Sequence, residues 1–225
     1  MRGALRAKVG LAAIGAVLLA GWGSPGSSAP ARTPAETIAQ MKSAVNAANS
    51  VHLSGVLRNA GKAVGLDIGL LKSGEFAGTI TDNGVRLILT DTGGKIYVKA
   101  TPAFLKQLKV SPALCSLMCG KYVQLTAAQS AALAENFTMR KLLASLTGSL
   151  PKFADAGTTT VRGQKVQVLR AADGSMLDVA ATGTPYPLRA VGKAHKGQID
   201  FTQWNSVPRP VAPPASKVIN AASLG

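Results

Sequence analysis

The sequence predicts an α+β domain made of one large antiparallel sheet of about ten strands with helices on one face. Residues 51–99 and 158–202 carry apolar side chains at every second position, which is typical of strands with one buried face. Turn sequences such as Asn83-Gly84 separate these runs and favour tight antiparallel hairpins. The segment 102–151, which lies between the two blocks, instead has helical periodicity.

The segment 1–31 is laid out as a secretory signal peptide. Arg2, Arg6 and Lys8 form a basic leader, the stretch 9–20 is apolar and uncharged, and the stretch 21–31 is rich in small residues and proline. The apolar stretch is shorter than the roughly 20 residues that a membrane-spanning helix needs. We expect export and cleavage near Ala31, where small residues occupy the positions that signal peptidase prefers.

The end of this leader has the form of a bacterial lipobox without its cysteine. In a lipobox, Leu19-Ala20-Gly21 would be followed by a cysteine whose sulfur receives a diacylglyceryl group, but this chain has Trp22 there. Because an indole has no nucleophilic sulfur, we expect no lipidation at this position.

The first helix is predicted directly after the leader and should end near Asn49. Thr33 and Glu36 have the spacing of a capping box, and Pro34 fits the first helical turn. The apolar residues of this helix recur at helical spacing and form one stripe, which consists of Ile38, Met41, Val45 and Ala48.

The rest of the chain divides into strands, helices and strands again. About five strands are predicted in residues 51–99. Helices are predicted at 102–109, at 130–135 behind a capping box at Thr126 and Gln129, and after Thr138 as far as Pro151. Five more strands are predicted, at 158–162, 165–170, 175–181, 187–192 and 198–202.

The C-terminal segment 207–225 is predicted to be a separate strap, because residues 207–214 are rich in proline. Proline cannot donate a hydrogen bond to a sheet, so the strap should cross the surface or an edge. The predicted organisation is therefore a signal peptide at 1–31, the α+β domain at 32–206 and the strap at 207–225.

Composition and charge limit the class of protein. Apolar residues make up 47% of the chain, too many for a disordered chain, and the 24 glycines follow no collagen-like period. The formal charge is +15, but the lysines are spread along the chain, and an exported protein meets little nucleic acid. We therefore expect no nucleic-acid partner. An anionic membrane surface or acidic cell-wall polymers are better candidates for a partner of the positive charge. The alternative is that the charge has no partner and only keeps the protein soluble.

Several segments resemble those of a known family. The chain contains, in order, SVHLSG (50–55), KIYVK (95–99), GKYV (120–123), TTTVRGQ (158–164), AATGTPYPLR (180–189) and the tail 201–215. By these segments it resembles the actinobacterial LppX/LprAFG lipoproteins, whose fold is related to the carriers LolA and LolB. The resemblance implies a half-open antiparallel barrel with helices packed on its concave face and an apolar cavity that holds acyl chains. Members of that family are tethered through a lipidated cysteine, from which Trp22 departs.

The only two cysteines, Cys115 and Cys119, favour a disulfide because an exported protein folds in an oxidising compartment. Their spacing fits neither a four-ligand zinc site nor the two-residue spacing of a thioredoxin-like pair. Two free thiols, or redox or metal chemistry, are the alternatives. A looped geometry would suit the bond better than a plain helical turn.

No catalytic residues, metal site or cofactor are expected. The two histidines, His52 and His195, lie far apart in sequence, and each is expected to face solvent. The ten carboxylates are scattered singly, and no nucleophile elbow or phosphate-binding loop occurs in the sequence.

The apolar strand faces are the feature that could carry a function. Periodicity alone is satisfied by a filled core, whereas the resemblance favours a cavity in which each buried methylene of a guest contributes about 0.8 kcal/mol. The candidate cavity residues are Leu66, Ile68, Leu70, Phe76, Ile80, Leu87, Leu89, Ile96 and Val98 in the first strand block and Val168, Val179, Leu188, Ile199 and Phe201 in the second.

The sequence and the resemblance together indicate a non-enzymatic, monomeric carrier of lipids or acylated glycolipids. It would act outside the cytoplasmic membrane, at its outer face, in the bacterial cell envelope or as a secreted protein. The alternative is an envelope scaffold or adhesion module with a filled core and no ligand.

Overall fold

The computed structural model describes residues 32–59, 62–147, 150–193 and 197–223. Residues Arg32–Gly225 form one compact unit. The predicted signal peptide, Trp22 and His195 lie outside the described residues. Within the described part of the chain, no helix has both the length and the apolar character needed to span a membrane.

Twelve strands form a single sheet. In chain order they are β1 (Ser50–Asn59), β2 (Lys62–Leu71), β3 (Phe76–Asp82), β4 (Val85–Asp91), β5 (Ile96–Lys99), β6 (Tyr122–Gln124), β7 (Phe153–Val161), β8 (Gln164–Ala171), β9 (Met176–Ala180), β10 (Pro187–Val191), β11 (Gly197–Thr202) and β12 (Val218–Asn220). Their order across the sheet is β12-β6-β5-β4-β3-β2-β1-β11-β10-β9-β8-β7. Neighbouring strands run antiparallel, except that β12 is parallel to β6. The ten predicted strands are present, and β6 and β12 are additions that the sequence reasoning missed.

Five α-helices accompany the sheet: α1 (Pro34–Ala47), α2 (Pro102–Gln107), α3 (Pro112–Met118), α4 (Ala127–Asn136) and α5 (Met139–Thr147). The predicted capping box of α1 is present, since the Glu36 amide donates to the Thr33 hydroxyl at 3.3 Å and the Thr33 amide donates to the Glu36 carboxylate at 2.8 Å. The second predicted box, at Thr126, caps α4. Helix α1 ends at Ala47, slightly earlier than expected, and α3 was not predicted.

The main core lies between one face of the sheet and two helices. Met41 and Val45 of α1, together with Met139 and Leu143 of α5, are buried against the strand residues of that face. The cluster extends along the sheet from Val98 in β5 to Leu169 in β8. Helices covering one face of a large, mainly antiparallel sheet confirm the predicted α+β class.

The opposite face of the sheet carries a charged cluster. The Asp200 carboxylate accepts hydrogen bonds from the Arg162 guanidinium at 2.7 Å and from Arg189 Nε at 3.0 Å. Arg162 also donates to the carbonyl oxygens of Leu188 and Phe201. This one arginine therefore ties the turn between β7 and β8 to β10 and β11.

The C-terminal segment runs across the sheet without regular structure between residues 207 and 214. The Val207 amide donates to the Ser50 hydroxyl at 3.1 Å, and the Arg209 guanidinium pairs with the Glu75 carboxylate at 2.8 Å. The chain then reaches the far edge, where Val218 in β12 pairs with Tyr122 in β6. The tail thus contributes the last strand of the sheet.

Candidate functional site

A pocket of about 630 Å³ opens between α1, the turn that joins β2 to β3, and the first half of α5. Lys42 to Ala48 form one wall, the turn residues 72–74 form the second, and residues 138–144 form the third. This volume lies within the range of about 300–1,000 Å³ that is typical of small-molecule sites.

The floor of the pocket is apolar. Its buried residues are Val45, Ala48, Met139 and Leu143, each no more than 5% exposed. All four belong to the main core cluster that packs on the sheet. The pocket therefore leads from the protein surface directly onto the core, and an apolar guest would meet no buried charge at the floor.

The rim of the pocket is cationic. Lys42, Lys72 and Arg140 line it, and no carboxylate is among the described residues that do so. Lys42 lies three residues before Val45, which places both on the pocket side of α1. The Lys72 ammonium donates to the Asn46 carbonyl at 3.4 Å, at the C-terminal end of α1, where a positive charge is favourable. An anionic group at the mouth of this pocket would face three positive charges.

Backbone hydrogen bonds fix the turn that forms the second wall. The Lys72 amide donates to the Asn49 carbonyl at 2.8 Å, and the Leu71 amide donates to the Glu75 carbonyl at 2.9 Å. Gly74 has a φ of +105°, which an L side chain rarely adopts, so this position requires glycine. The turn is thereby tied to the end of α1.

Helix α5 presents its first turn to the pocket. The Thr138 hydroxyl accepts the Lys141 amide at 3.2 Å and so caps the helix that the sequence predicted after this residue. Capping fixes the start of the helix, which places Met139 on the floor and Arg140 at the rim. The partial positive charge of a helix N-terminus adds to the cationic character of this wall.

Most of the predicted cavity residues come together in the main core. Those buried in the cluster are Ile68, Leu70, Phe76, Leu89, Ile96, Val98, Val179, Ile199 and Phe201. Leu66, Ile80 and Leu87 pack against it and are only partly buried. None of the fourteen residues is among the described residues that line the 630 Å³ pocket, so their role as a lipid lining stays a prediction.

The structure does not bring Val168 and Leu188 to this face. They pack instead with Val161 and Val166 in a separate small cluster. In β8 it is Leu169, paired with Leu177, that faces the main core. The pairing of β9 with β10 shifts between Pro187 and Arg189, so Leu188 is displaced from the simple alternation.

Sequence reasoning missed the helix-borne pocket because it searched the strand faces. One local signal was available, since Lys42 lies one helical turn before Val45 on the recognised apolar stripe of α1. No local pattern indicates that Lys72 and Arg140, which are far apart in sequence, reach the same rim.

The other candidate residues lie away from the pocket. Cys115 and Cys119 form a disulfide with their Cα atoms 5.2 Å apart, with Cys115 inside α3 and Cys119 capping its C-terminal end. His52 Nε2 lies 2.9 Å from the Asp67 carboxylate, and its Nδ1 lies 3.2 Å from the Thr202 hydroxyl. Within the described ranges, no group of three His, Cys, Asp or Glu side chains is close enough to hold a metal ion.

Comparison with solved structures identifies the fold. The lipoprotein LppX of Mycobacterium tuberculosis has 14% sequence identity and a TM-score of 0.50, and the match covers 77% of this chain and 95% of LppX. LprF from Mycobacterium bovis has 13% identity and a TM-score of 0.52, and the match covers 80% of this chain and 96% of LprF. No family model and no curated protein matches the chain. The chain therefore has the fold of LppX and LprF, which confirms the structural likeness that the sequence segments indicated.

Proposed function

We propose that this LppX-like domain is a non-enzymatic carrier that binds acyl chains of lipids or acylated glycolipids in the bacterial cell envelope. The observation that supports this proposal most directly is the pocket between α1 and α5, which has an apolar floor and a cationic rim. Few other ligand classes combine a long apolar part with an anionic end. The described residues that line the pocket include no carboxylate or cysteine that could act on a bound ligand.

The apolar part of the ligand would supply most of the binding free energy. Each methylene that leaves water contributes about 0.8 kcal/mol, so a single long chain can bind without directed polar contacts. Met139 and Leu143 form part of the floor and also pack against the sheet residues of the main cluster. Leu66, Ile80 and Leu87, which are only partly buried beside that cluster, are the predicted cavity residues that we propose a longer chain would contact.

The charged part of the ligand would remain at the rim. Lys42, Lys72 and Arg140 are held there by α1, the β2–β3 turn and the start of α5. A basic residue close to an anionic lipid contributes about 1 kcal/mol. We therefore propose that the ligand is a lipid with a phosphate or carboxylate in its headgroup.

The location that we propose is outside the cytoplasmic membrane. Two observations support it: the layout of residues 1–31 as an export signal, and the likeness of the fold to LppX, a lipoprotein. We propose a monomer that is cleaved near Ala31 and is not lipidated at position 22, since Trp22 stands where a lipobox has its cysteine.

The proposal is tested by filling the pocket. Ala144 lines it and is exposed, so Ala144→Trp adds bulk at the mouth without disturbing the buried floor. We expect this variant to lose uptake of a fluorescent fatty-acyl probe while its thermal unfolding midpoint is unchanged. Ala131→Trp is the matched control, because Ala131 is exposed on α4 and does not line the pocket.

Native mass spectrometry of the protein purified from its own host gives the second readout. A co-purifying lipid that is reduced in Ala144→Trp and retained in Ala131→Trp supports the proposal. A ligand-free mass, together with probe uptake that Ala144→Trp leaves unchanged, contradicts it.

A further inference from the structure

We propose that residues 102–121, which comprise α2, α3 and their connection, form a docking surface for an anionic lipid bilayer. We call this surface the α2–α3 face. The inference goes beyond the proposed carrier function and rests on exposed side chains outside the pocket. Its success or failure is therefore independent of whether the pocket binds a lipid.

The α2–α3 face exposes large apolar side chains. Leu108 is 57% exposed, Leu117 is 62% exposed and Leu114 is 38% exposed. Three of the six large apolar residues that are exposed in the described part of the chain thus fall within ten positions. Such residues are normal when scattered singly, but a concentration of them indicates an interaction surface.

Helix α3 has two distinct sides. Its inner side, with Cys115 and Met118, packs on Leu105 and on β6 and β12, the last two strands at that end of the sheet. Leu114 and Leu117 lie three residues apart and share the outer side of the helix. The leucines therefore project from a helix that the domain already holds in place.

The α2–α3 face and the residues that flank it carry only positive charge. Residues 95–134, which include the face, contain five lysines and no Asp or Glu. Lys106, Lys109 and Lys121 are exposed, and Lys99 lies over the Tyr122 ring at 5.8 Å. No ion pair involves these lysines within the described ranges. Exposed leucines with surrounding lysines are the combination that binds the interface of an anionic membrane.

The same composition argues against a protein partner. The residues that contribute most of the binding free energy in tight protein interfaces are enriched in Trp, Tyr and Arg, and lysine is depleted from such interfaces. The segment 102–121 contains no Trp, Tyr or Arg but has three lysines, and its Met118 is buried in the domain. Lysine without a fixed acceptor suits the diffuse charge of phospholipid headgroups better.

The α2–α3 face is preorganised. The Ser111 hydroxyl accepts the Leu114 amide at 3.3 Å and caps α3, and the disulfide joins Cys115 to Cys119 at its other end. The Val110 amide donates to the Leu105 carbonyl at 3.0 Å, which ties the connection to α2. Binding by a preformed surface loses less conformational entropy than binding by a mobile loop.

Vesicle sedimentation tests the proposal with the chain from Arg32 onward, which forms one compact unit without the apolar leader. We expect binding to vesicles of phosphatidylcholine and phosphatidylglycerol in equal parts, and little binding to phosphatidylcholine alone. Each lysine near the surface should strengthen the binding constant about fivefold, so Lys106→Glu with Lys109→Glu should weaken it about 25-fold or more. Lys152→Glu with Lys165→Glu is the charge-matched control, because both residues are exposed at or near the opposite edge of the sheet.

The apolar contribution is tested separately. Leu108→Ser with Leu117→Ser should weaken binding at least tenfold, whereas Val211→Ser should not, although Val211 is 84% exposed. Leu117→Trp should show fluorescence quenched by lipids brominated in their acyl chains, and Val211→Trp should not. All these positions are exposed, so circular dichroism and the unfolding midpoint should be unchanged.

Three results overturn the proposal. The first is a wild-type chain that does not bind the anionic vesicles. The second is control variants that weaken binding as much as the α2–α3 variants do, because the binding would then reflect net charge alone. The third is self-association that the leucine variants abolish in analytical ultracentrifugation without changing vesicle binding, because the face would then be a contact between copies of the chain.

Discussion

A methyl group of Val207 occupies the space above Gly69. A Cβ atom placed on Gly69 would lie only 2.7 Å from Val207 Cγ1, closer than two non-bonded carbon atoms approach each other. Gly69 pairs with His52 across β2 and β1, on the side of the sheet opposite the main core. The absence of a side chain at Gly69 is therefore what allows the C-terminal segment to lie directly on the sheet.

Replacing this glycine should destabilise the protein through the C-terminal segment. We expect Gly69→Ala to lower the free energy of unfolding by about 1–3 kcal/mol, the usual cost of overpacking. The obstructing atom is a side-chain methyl, so Val207→Ala should relieve the clash, and the double variant should recover most of the loss. Chemical denaturation of the four proteins in this cycle gives the coupling free energy.

Gly78→Ala provides the contrast. A Cβ on Gly78 would lie 2.2 Å from the backbone carbonyl oxygen of Asp67, which no side-chain truncation can remove. We expect this variant to be less stable than Gly69→Ala. A double variant of Gly69 and Val207 that is no more stable than Gly69→Ala alone would show that the C-terminal segment does not cause the constraint.

The Asp200 cluster should make the protein less stable in acid. Burial opposes ionisation of Asp200, but hydrogen bonds from Arg189, Gln198 and Arg162 outweigh that effect and hold the pKa of the carboxyl below its ordinary value. The unfolded chain therefore takes up a proton at a higher pH than the folded protein does. The stabilisation is complete above the ordinary pKa of Asp and is lost as pH falls toward the folded pKa.

Asp200→Asn should remove this contribution. We expect the variant to lose about 1–2 kcal/mol near neutral pH, because two arginines lose a charged partner. The difference from the parent should shrink as pH falls below about 4. Asp82→Asn, at an exposed carboxylate, is the control. Burial raises the pKa of Asp178, so ionisation of this carboxyl favours the unfolded chain and opposes the effect of Asp200 on stability. Each variant is therefore compared with the parent protein at the same pH.

Much of the fold could be predicted because its signals are local. The strands from Ser50 to Lys99 alternate cleanly and are separated by glycine-containing turns, and both capping boxes are visible in the sequence. Helix α3 also has a local signal, since Ser111 caps it and Pro112 opens it. Strands β6 and β12 have only three residues each, too few to show a period. The pairing of β12 with β6 depends on where the fold places the C-terminal segment, and no local sequence pattern indicates that place.

The candidate site could be predicted only in part. The shared face of Ile68, Leu89 and Phe201 follows from alternation, but Leu188 lies at a shift in register that alternation cannot show. The pocket joins Lys72 to Arg140, which are brought together by the packing of α5 near the end of α1. Such proximity is a property of the tertiary fold.

The cationic rim should select the charge of the ligand. Lys42→Gln with Arg140→Gln should weaken binding of a fatty acid to the pocket by about fivefold for each residue, because each cation contributes about 1 kcal/mol. Binding of the corresponding fatty alcohol should change little. Competition with a fluorescent acyl probe measures both affinities, and Lys152→Gln is the control outside the pocket. Equal losses for the acid and the alcohol would mean that these residues shape the pocket and do not recognise charge.

The disulfide should stabilise α3 locally and leave the rest of the domain nearly unaffected. It closes a loop of very few residues, so its loss removes little chain entropy, and we expect Cys115→Ala with Cys119→Ala to cost about 1–2 kcal/mol at most. The amides that should lose protection are those of Cys119 and Lys121, which donate to the Cys115 and Met118 carbonyls at the end of the helix. The Ala48 amide, bonded at the end of α1, should keep its protection. Hydrogen exchange read by mass spectrometry separates the two regions. Faster exchange in both would show that the bond supports the whole fold, and unchanged exchange at Cys119 and Lys121 would show that the packing of Met118 suffices to hold the helix.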